Sequence, residues 1–387
     1  MKLFIIAGEP SGDVHAANLV KEIQSQLESA GQSSAVELYG TGGPNLLQLG
    51  QLRLSDVQSM AVIGFDAAIK KIPFLLDLSK RLKAQIDLVN PDAIILVDYS
   101  GFNLRFAKML HKSGNTAPVI ELVAPQVWIW HYSRVKTLAK CFQKVLCILP
   151  FEEKLLRDEG VNAVYIGNPV TDNIKFRHVS KESFAASYSL DPAREIIGLI
   201  PGSRPREVAS LMPVMMEALR KLKSEGGKLP QFVLAQADAV TDELLAQYLD
   251  KTLDITVIKG ATPEVMKFSS LLWICSGTAT LEAAIIGTPM IIMYQTSRFN
   301  EIIAKLITSR RIIGLPNIVA GDKLIVPELL SKDCNGENLA KTHKEMMPNL
   351  AQYRTALQTI GELFAGQEPM KNAAREVLAT IDEHTKR

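Results

Sequence analysis

The chain has 387 residues, of which 47% are hydrophobic, and its formal net charge at pH 7 is +2. This length predicts two to three domains with sizeable cores. The balance of 43 basic and 41 acidic residues argues against a nucleic-acid partner. The four cysteines form no C-x-x-C pair, which is typical of reduced thiols in a cytosolic protein and argues against disulfides and structural zinc.

The N-terminal apolar run is followed at once by acidic residues, which favours a first strand over a signal peptide. No apolar run reaches the ~18–20 residues that a membrane span needs. From there, short apolar runs alternate with helical patterns. Runs that are apolar throughout are typical of parallel strands covered on both faces. The strands predicted for a first domain are residues 2–7, 36–39, 93–97, 119–123, 145–149 and 163–166.

A polar stretch that ends near residue 194 precedes a second series of strands. These are predicted at residues 196–200, 232–235, 256–258, 271–275 and 290–294. Strands separated by helices imply right-handed crossovers, so we predict an α/β fold of two doubly wound Rossmann-like domains that face a cleft. The predicted division is residues 1–168, residues 169–360, and a C-terminal helix in residues 361–387 that packs back on the N-terminal domain. Ligands of such sheets bind at the carboxyl ends of the strands.

Residues 271–289 contain a buried strand, a Ser-Gly-Thr turn and an apolar helix. The start of that helix directs unpaired N–H groups and a positive dipole end at the turn, which favours an anion. Glu282 follows about one turn later and can reach a sugar hydroxyl of the same ligand. Ordinary α/β packing with an incidental acid is the alternative. The binding residues predicted here are Ser276, Gly277, Thr278 and Glu282.

Residues 201–207 follow the first strand of the second domain. Gly202 permits close approach of the backbone, and Arg204 offers two parallel donors to phosphate, with Ser203 between them. Together with the turn at residues 276–278, this loop predicts a pyrophosphate site. The chain has no D-x-D pair, so a metal-clamped phosphate is disfavoured. A plain helix-capping turn with exposed arginines is the alternative.

The first domain has its own polar residues at strand ends. A carboxylate in such a position suits a general base that deprotonates an acceptor hydroxyl. Asp98 is the first choice, because an apolar strand precedes it and partial burial raises the pKa of a carboxyl group. Glu9 is the alternative base, and Asp98 could instead cap the next helix. The remaining residues of the Glu9 loop, predicted to bind the acceptor, are Ser11, Gly12 and Asp13.

Residues 60–83 combine apolar side chains with five cations. A basic, apolar surface helix is typical of contact with an anionic membrane. Pro73 makes one continuous buried helix less natural. An amphipathic helix that faces the core is the alternative. The predicted membrane contacts are Met60, Val62, Ile63, Phe65, Phe74, Leu75 and Leu76.

Ten ordered motifs run through the chain: AGEPSGD at 7–13, GGP at 42–44, MAVIG at 60–64, VD with FN at 97–103, APQVWIW at 124–130, LPFE at 149–152, IGNP at 166–169, PGSR at 201–204, SGTATLE at 276–282 and LPN at 315–317. In these motifs the sequence resembles the lipid-A-disaccharide synthases, bacterial glycosyltransferases of the B-type fold. The resemblance extends over nearly the whole chain.

The resemblance implies an inverting, metal-independent transfer that needs no cofactor. The sugar of UDP-2,3-diacylglucosamine would pass to 2,3-diacylglucosamine 1-phosphate (lipid X), giving a β-1,6 disaccharide 1-phosphate and UDP in lipid A (lipopolysaccharide) biosynthesis. It also implies a cytoplasmic homodimer bound peripherally to the anionic inner membrane through residues 60–83. By motif, it assigns Arg204, Glu282 and Asn317 to the donor site, and Asp98 and Glu9 to catalysis.

Some positions depart from the family pattern. Gly101 replaces a frequent second acid, which leaves Asp98 as the acid of its loop, and Gln295 replaces an arginine, which increases the reliance on Arg204. Asn168 replaces a usual histidine, and Ile129 replaces a commoner alanine. Two other functions are considered: a non-hydrolysing UDP-N-acetylglucosamine 2-epimerase, which shares the two-domain fold, and a non-catalytic nucleotide-binding or membrane-scaffold protein.

Overall fold

The computed structural model describes residues 1–31, 35–60, 65–129, 132–226, 229–295 and 312–386. Two compact units are present: Met1–Pro169 with Gln367–Arg387, and Val170–Gly366. The boundaries predicted from the sequence, after residues 168 and 360, lie near these divisions. Strands and helices are numbered below in chain order among the described residues.

The first unit contains a seven-stranded parallel sheet. Its strands are β1 (Lys2–Ala7), β2 (Glu37–Gly42), β3 (Leu52–Asp56), β4 (Ala93–Val97), β5 (Val119–Leu122), β6 (Lys144–Cys147) and β7 (Ala163–Tyr165). The spatial order is β3-β2-β1-β4-β5-β6-β7, so the chain reverses direction across the sheet between β1 and β4. These two central strands are almost completely buried, because their apolar side chains pack under helices on both faces.

The helices of the first unit that lie before residue 170 are α1 (Pro10–Ser29), α2 (Pro44–Gln48), α3 (Val57–Met60), α4 (Phe65–Val89), α5 (Ser100–Lys112), α6 (Val135–Cys141) and α7 (Pro150–Arg157). Two apolar cores lie on opposite faces of the sheet, because alternate residues of each strand point to opposite sides. Helices α4 and α5 contribute to one core, and α1 contributes to the other.

The second unit contains a six-stranded parallel sheet. Its strands are β8 (Ile196–Ile200), β9 (Gln231–Gln236), β10 (Ile255–Lys259), β11 (Leu271–Cys275), β12 (Met290–Tyr294) and β13 (Glu328–Leu330). Their order is β10-β9-β8-β11-β12-β13, with a reversal between β8 and β11. Its helices are α8 (Val170–Asn173), α9 (Lys181–Ser187), α10 (Pro205–Ser224), α11 (Asp242–Ala246), α12 (Thr262–Phe268), α13 (Thr278–Ile286), α14 (Leu315–Val319), α15 (Gly336–Met346) and α16 (Leu350–Phe364).

The last helix, α17 (Pro369–Thr385), returns to the first unit and packs along α1. Gln26 Nε2 donates to the carbonyl of Lys371 at 2.8 Å. Lys144 at the start of β6 forms an ion pair with Glu376 at 3.0 Å. The buried face of α17 therefore completes the core on the α1 side of the sheet.

The prediction of two doubly wound α/β domains is confirmed. The sequence did not predict β3 or β13, each of which forms one edge of its sheet, whereas β7 and β10 at the opposite edges were predicted. Strand β3, with the sequence LRLSD, is only partly buried, and β13 has three residues. Edge strands lack the continuous burial that makes central strands apolar throughout, so their sequences carry a weaker signal.

Asp13 is a buried helix cap, and this corrects its predicted role in acceptor binding. Its Oδ1 accepts hydrogen bonds from the backbone N–H groups of Gly43 at 2.7 Å and Leu46 at 3.2 Å. Its Oδ2 accepts from the backbone and side-chain nitrogens of Asn45, at 2.9 and 2.8 Å. Because the carboxylate satisfies the unpaired N–H groups at the start of α2, it ties α1 to the turn after β2.

Gly12 lies buried in the first turn of α1, beside the end of β4. A Cβ built on it would lie 3.4 Å from the carbonyl oxygen of Val97, which is an ordinary contact distance. An acceptor contact at Gly12 would have to come from its backbone, and it stays a prediction.

Replacing Asp13 with alanine should lower the free energy of unfolding by about 2–3 kcal/mol, because three backbone N–H groups would lose their acceptor. Urea denaturation followed by circular dichroism measures this loss. Asp77→Ala is the matched control, because the Asp77 side chain is 66% exposed and pairs with Arg81 on the surface of α4. That variant should lose less than about 0.5 kcal/mol. Equal losses in the two variants would contradict the capping role.

Candidate functional site

The carboxyl ends of β1 and β4 bring Glu9, Ser11 and Asp98 together. Asp98 directly follows β4, and its backbone N–H donates to the carbonyl of Leu122 at 3.2 Å. Its φ of 40° lies in the left-handed region, which the surrounding structure must hold against a steric cost. Ser11 Oγ donates a hydrogen bond to Asp98 Oδ2 at 3.2 Å.

The environment of Asp98 raises its basicity. Burial and, to a smaller extent, the negative charge of Glu9 raise the pKa of Asp98, the hydrogen bond from Ser11 lowers it, and the net result is a pKa of about 6. A carboxylate with this pKa is mostly ionised at pH 7 and accepts a proton more readily than an ordinary aspartate. Asp98 does not cap α5, because Tyr99 occupies the N-cap position and no side chain caps that helix end.

Glu121 and Asn103 form a buried polar pair next to this site, which the sequence analysis missed. Glu121 lies on β5 opposite Leu96, both residues are 0% exposed, and Asn103 Nδ2 donates to Glu121 Oε1 at 3.0 Å. Burial holds the pKa of Glu121 well above its usual range, and the charge of Asp98 raises it further. Burial therefore favours the neutral form of Glu121. The sequence feature that could have indicated Glu121 is a single acidic residue within an otherwise apolar strand.

The motifs at residues 124–130 and 149–152 meet through one buried acid. Trp128 Nε1 donates to Glu152 Oε1 at 3.0 Å. Glu152 Oε2 accepts from the backbone N–H groups of Ile148 at 3.2 Å and Leu149 at 3.0 Å. Burial raises the pKa of Glu152 to about 7. This acid fixes the indole against the start of α7.

In the second unit, the N-terminus of α13 has no side-chain cap. Gly277 and Thr278 are exposed there, and Ser276 is half-buried. Thr280 donates from its N–H and its hydroxyl to the carbonyl of Gly277, at 3.0 and 2.7 Å. The first N–H groups of this nine-residue helix are therefore open to a ligand, and the helix dipole favours an anion there.

Glu282 lies on α13 just inside that end and is half-buried. Burial raises the pKa of its carboxyl group. Within the described ranges, no hydrogen bond or ion pair engages its side chain. The carboxylate therefore keeps its acceptor capacity for a ligand.

The loop at residues 201–207 is organised by Glu207, which the sequence analysis did not assign. Its Oε2 accepts from the N–H groups of Ser203 at 2.9 Å and Arg204 at 3.1 Å, and its Oε1 accepts from Arg204 Nη1 at 3.1 Å. Gly202 has a φ of 113°, and a Cβ there would lie 2.5 Å from Glu207 Oε2. The sequence feature that could have indicated this role of Glu207 is Pro205 at the first position of α10, followed by an acid two residues later.

The loop is thus the capping turn that stood as the structural alternative. It remains open to ligand, because the Arg204 side chain is 72% exposed and donates to Glu207 through one nitrogen. The ion pair holds the guanidinium beside the loop, and among the described residues Glu207 is its one hydrogen-bonding partner. Capping and donor binding are therefore compatible at Arg204.

Asn317 does not have the predicted role in donor binding. It is 0% exposed, and its Nδ2 donates to the carbonyl of Val326 at 2.9 Å and to Glu328 Oε1 at 2.7 Å. Its Oδ1 accepts from the N–H groups of Ile325 at 2.9 Å and Val326 at 3.1 Å. These bonds use the amide fully and fold the chain between α14 and β13, so Asn317 is a structural residue.

The predicted membrane contact at Met60 is wrong. Met60 is 0% exposed and belongs to the core that also contains Leu78 and Leu82 of α4. Its carbonyl accepts a hydrogen bond from the phenol of Tyr99 at 3.0 Å. The end of α3 is therefore part of the first unit's interior.

The other predicted membrane contacts on α4 differ in how far their side chains are exposed. Phe74 and Leu75 are half-buried against the core, as the amphipathic alternative expected, whereas Leu76 is 59% exposed. Val62 and Ile63 lie outside the described residues, as does the side chain of Phe65. Of the predicted contacts whose side chains are described, Leu76 alone is exposed. None of the described helices has both the length and the apolar character needed to cross a bilayer.

Comparison with known proteins shows to which family the chain belongs. The model of the family described as lipid-A-disaccharide synthetase matches residues 3–381. The chain is 34% identical to the lipid-A-disaccharide synthase of Trichlorobacter lovleyi, over 99% of this chain and 98% of that protein. It is also 34% identical to the lipid-A-disaccharide synthase of Geobacter sulfurreducens, over 88% of this chain and 86% of that one.

Among solved structures, UDP-GlcNAc 2-epimerase from Neisseria meningitidis bound to UDP-GlcNAc aligns with a TM-score of 0.61 at 13% identity, over 99% of this chain and 100% of that one. A glycosyltransferase from Rickettsia africae aligns with a TM-score of 0.58 at 15% identity, over 100% of this chain and 98% of that one. At such low identity, these likenesses show a shared fold and nothing about the reaction.

Proposed function

Because the chain belongs to the lipid-A-disaccharide synthase family, we propose that its two strand-end sites serve one glycosyl transfer, the first holding the acceptor and the second the donor. The family match over residues 3–381 carries this proposal. The enzyme is a glycosyltransferase of lipid A biosynthesis, and its substrates are a UDP-sugar and lipid X.

Asp98 is the proposed general base. It takes the proton from the 6-hydroxyl of lipid X as that oxygen attacks the anomeric carbon from the face opposite UDP. The new glycosidic bond forms while the bond between the sugar and the UDP oxygen breaks, which inverts the configuration. The raised pKa of Asp98 and its hydrogen bond from Ser11 support this role. Glu9 remains the alternative base, and otherwise its charge raises the basicity of Asp98.

The donor is proposed to bind in the second unit. Its pyrophosphate takes the N–H groups of Gly277 and Thr278 and the hydroxyl of Ser276, whose own N–H donates to the carbonyl of Met293 at 2.8 Å. Ser203 and Arg204 contact it from the neighbouring loop. Negative charge that develops on the departing UDP is stabilised there by preorganised donors, with no metal required. Glu282, with its open acceptor capacity, binds the ribose hydroxyls.

The exposed side of α4 is proposed to contact the inner membrane from the cytoplasmic side. Leu76 and Ile72 are 59% and 40% exposed, and Lys80 and Arg81 are exposed next to them in the chain. Such a combination suits an anionic lipid surface, which attracts the cations and accepts the apolar side chains. Peripheral binding there, and a homodimer, are what the family resemblance implies.

One assay tests the function itself. The protein is incubated with the acylated UDP-sugar and lipid X, and the product is analysed by mass spectrometry. A disaccharide 1-phosphate with release of UDP supports the transferase. Epimerisation of unacylated UDP-N-acetylglucosamine without disaccharide would indicate the epimerase, and UDP binding without either product would indicate a scaffold.

Asp98→Asn should lower kcat by about 10²–10⁴-fold, because a carboxamide cannot accept the proton. The dissociation constant of UDP, measured by calorimetry, should stay within about twofold, since only proton transfer is removed. The wild-type kcat/KM should rise with pH through about 6, because Asp98 must lose its proton to act as the base and is protonated below its pKa.

Asp92→Asn is the matched control for that variant. Asp92 lies at the opposite end of β4, where its Oδ2 accepts from the N–H of Lys2 at 2.7 Å, and an asparagine oxygen can still accept that bond. This variant should keep wild-type turnover. Wild-type turnover in Asp98→Asn would remove Asp98 as the base, and Glu9→Gln would then test the alternative.

Glu282→Ala should raise the dissociation constant of UDP by roughly 10-fold or more, because the ribose loses a charged acceptor. Calorimetry with UDP and with its 2′,3′-dideoxy analogue separates this contact from other effects. The analogue has no ribose hydroxyls, so wild type and variant should bind it equally. A variant that weakens both ligands alike, or neither, would rule out the ribose contact.

Leu76→Glu should lower binding to phosphatidylglycerol-containing vesicles by about tenfold, because one apolar side chain no longer enters the lipid interface. Cosedimentation with the vesicles measures the bound fraction. Leu88→Glu is the control: Leu88 is 85% exposed on the same helix, 12 residues or about 18 Å from Leu76, and should leave binding unchanged. Equal effects at both positions would contradict a local contact at Leu76.

A further inference from the structure

Tyr99, directly after Asp98, contacts three segments of the first unit. Its phenol donates to the carbonyl of Met60 at the end of α3, at 3.0 Å. Its ring fills the space beside Gly8, where an added Cβ would lie 2.3 Å from Tyr99 Cδ1. Its own carbonyl accepts from the N–H groups of Phe102 and Asn103, at 3.0 and 2.9 Å, and so begins α5.

The ring is also held by a stack of aromatic side chains. Tyr99 stacks on Phe102 with 5.9 Å between ring centroids, and Phe102 stacks on Phe106 at 5.5 Å. These two phenylalanines belong to the core that contains Leu78 and Leu82 of α4. One end of the Tyr99 side chain is thus fixed by packing and the other by the bond to Met60.

The backbone conformation of Asp98 requires contacts from neighbouring residues to hold it. Its left-handed backbone is sterically costly for a residue with a side chain, and such conformations persist only where neighbouring contacts hold them. Its side chain receives one hydrogen bond, from Ser11, within the described ranges. The contacts of the next residue therefore provide much of the constraint on the turn.

The polar and titratable groups that face Asp98 from other elements lie on two segments. Glu9 and Ser11 lie on the loop after β1, and Glu121, whose neutral form is favoured by burial, lies on β5. Burial and the charge of Glu9 raise the pKa of Tyr99, so the phenol keeps its proton and its bond to Met60 at working pH. The ring on Gly8 also fixes the position of the Glu9 loop beside Asp98.

We propose that Tyr99 is a positioning residue for the transfer: its phenol, bonded to Met60, and its ring, packed on Gly8, hold Asp98 in its turn and Glu9 beside it. This inference rests on the proposed role of Asp98 as the base. It assigns a function to a residue that lies between the motifs VD and FN and belongs to neither.

Tyr99→Phe removes only the phenol oxygen and keeps the ring. With the turn loosened, the acceptor and base are less well aligned, and kcat/KM for lipid X should fall by about 5–20-fold. Asp98 should become more hydrated and lie farther from Glu9, and both changes lower its pKa. The acid limb of the kcat/KM profile should therefore move to lower pH, whereas the dissociation constant of UDP should not change.

Tyr165→Phe is the matched control. Tyr165 also lies in the first unit, and its phenol donates to Gln367 Oε1 at the same 3.0 Å distance. Its loss should leave the pH profile unchanged and kcat/KM within about twofold. Thermal unfolding of both variants measures how much each hydrogen bond contributes to stability, independently of turnover.

The outcomes separate the inference from its premise. An unshifted acid limb and unchanged kcat/KM in Tyr99→Phe, with turnover abolished in Asp98→Asn, would overturn the role of Tyr99 alone. The same kinetic changes in Tyr165→Phe would show a general effect of lost stability and would also overturn it. Full turnover in Asp98→Asn would remove the premise and the inference together.

Discussion

Each sheet has one point at which the order of its strands reverses, and both candidate sites depend on that constraint. At such a point, successive connections leave in opposite directions, so the loops after the two central strands diverge and stay open at the carboxyl edge. In the first sheet the reversal lies between β1 and β4, which lead to Glu9 and Asp98. In the second it lies between β8 and β11, which lead to Arg204 and Ser276.

Acids are frequent at these strand ends, but they have two different physical roles. Asp13, Glu152 and Glu207 each accept hydrogen bonds from backbone N–H groups at the start of a helix. Such carboxylates hold loops in place, and their acceptor capacity is already occupied. Asp98 and Glu282 accept no comparable set of backbone bonds within the described ranges, and burial raises the pKa of both. The distinction follows from hydrogen-bond partners and not from residue type.

The sequence could predict the domains and the loops because those depend on local patterns: apolar runs, glycine turns and helix starts. It could not separate structural from functional residues where the partner lies far along the chain. Asp13 meets Gly43, and Met60 meets Leu78, only after the first unit has folded. Asn317 bonds to residues only eight to eleven positions away, but the sequence does not show that a turn will use its amide fully. The motif at residues 315–317 predicted a donor contact at Asn317, whereas the amide is used in folding the chain between α14 and β13.

The protonation state of the Glu121 carboxyl group links the fold of the first unit to the chemistry proposed for Asp98. Its carboxyl group lies on the strand beside β4, fully buried, with one hydrogen bond from Asn103 among the described residues. An ionised group there would have no charged partner among the described residues, so burial raises its pKa and favours the neutral form. A second negative charge beside Asp98 would raise the pKa of Asp98 beyond the value of about 6 that burial and Glu9 already produce. Because burial favours the neutral form of Glu121, it adds little negative charge beside Asp98, which can be ionised at pH 7 and still accept a proton from a sugar hydroxyl as the new bond forms.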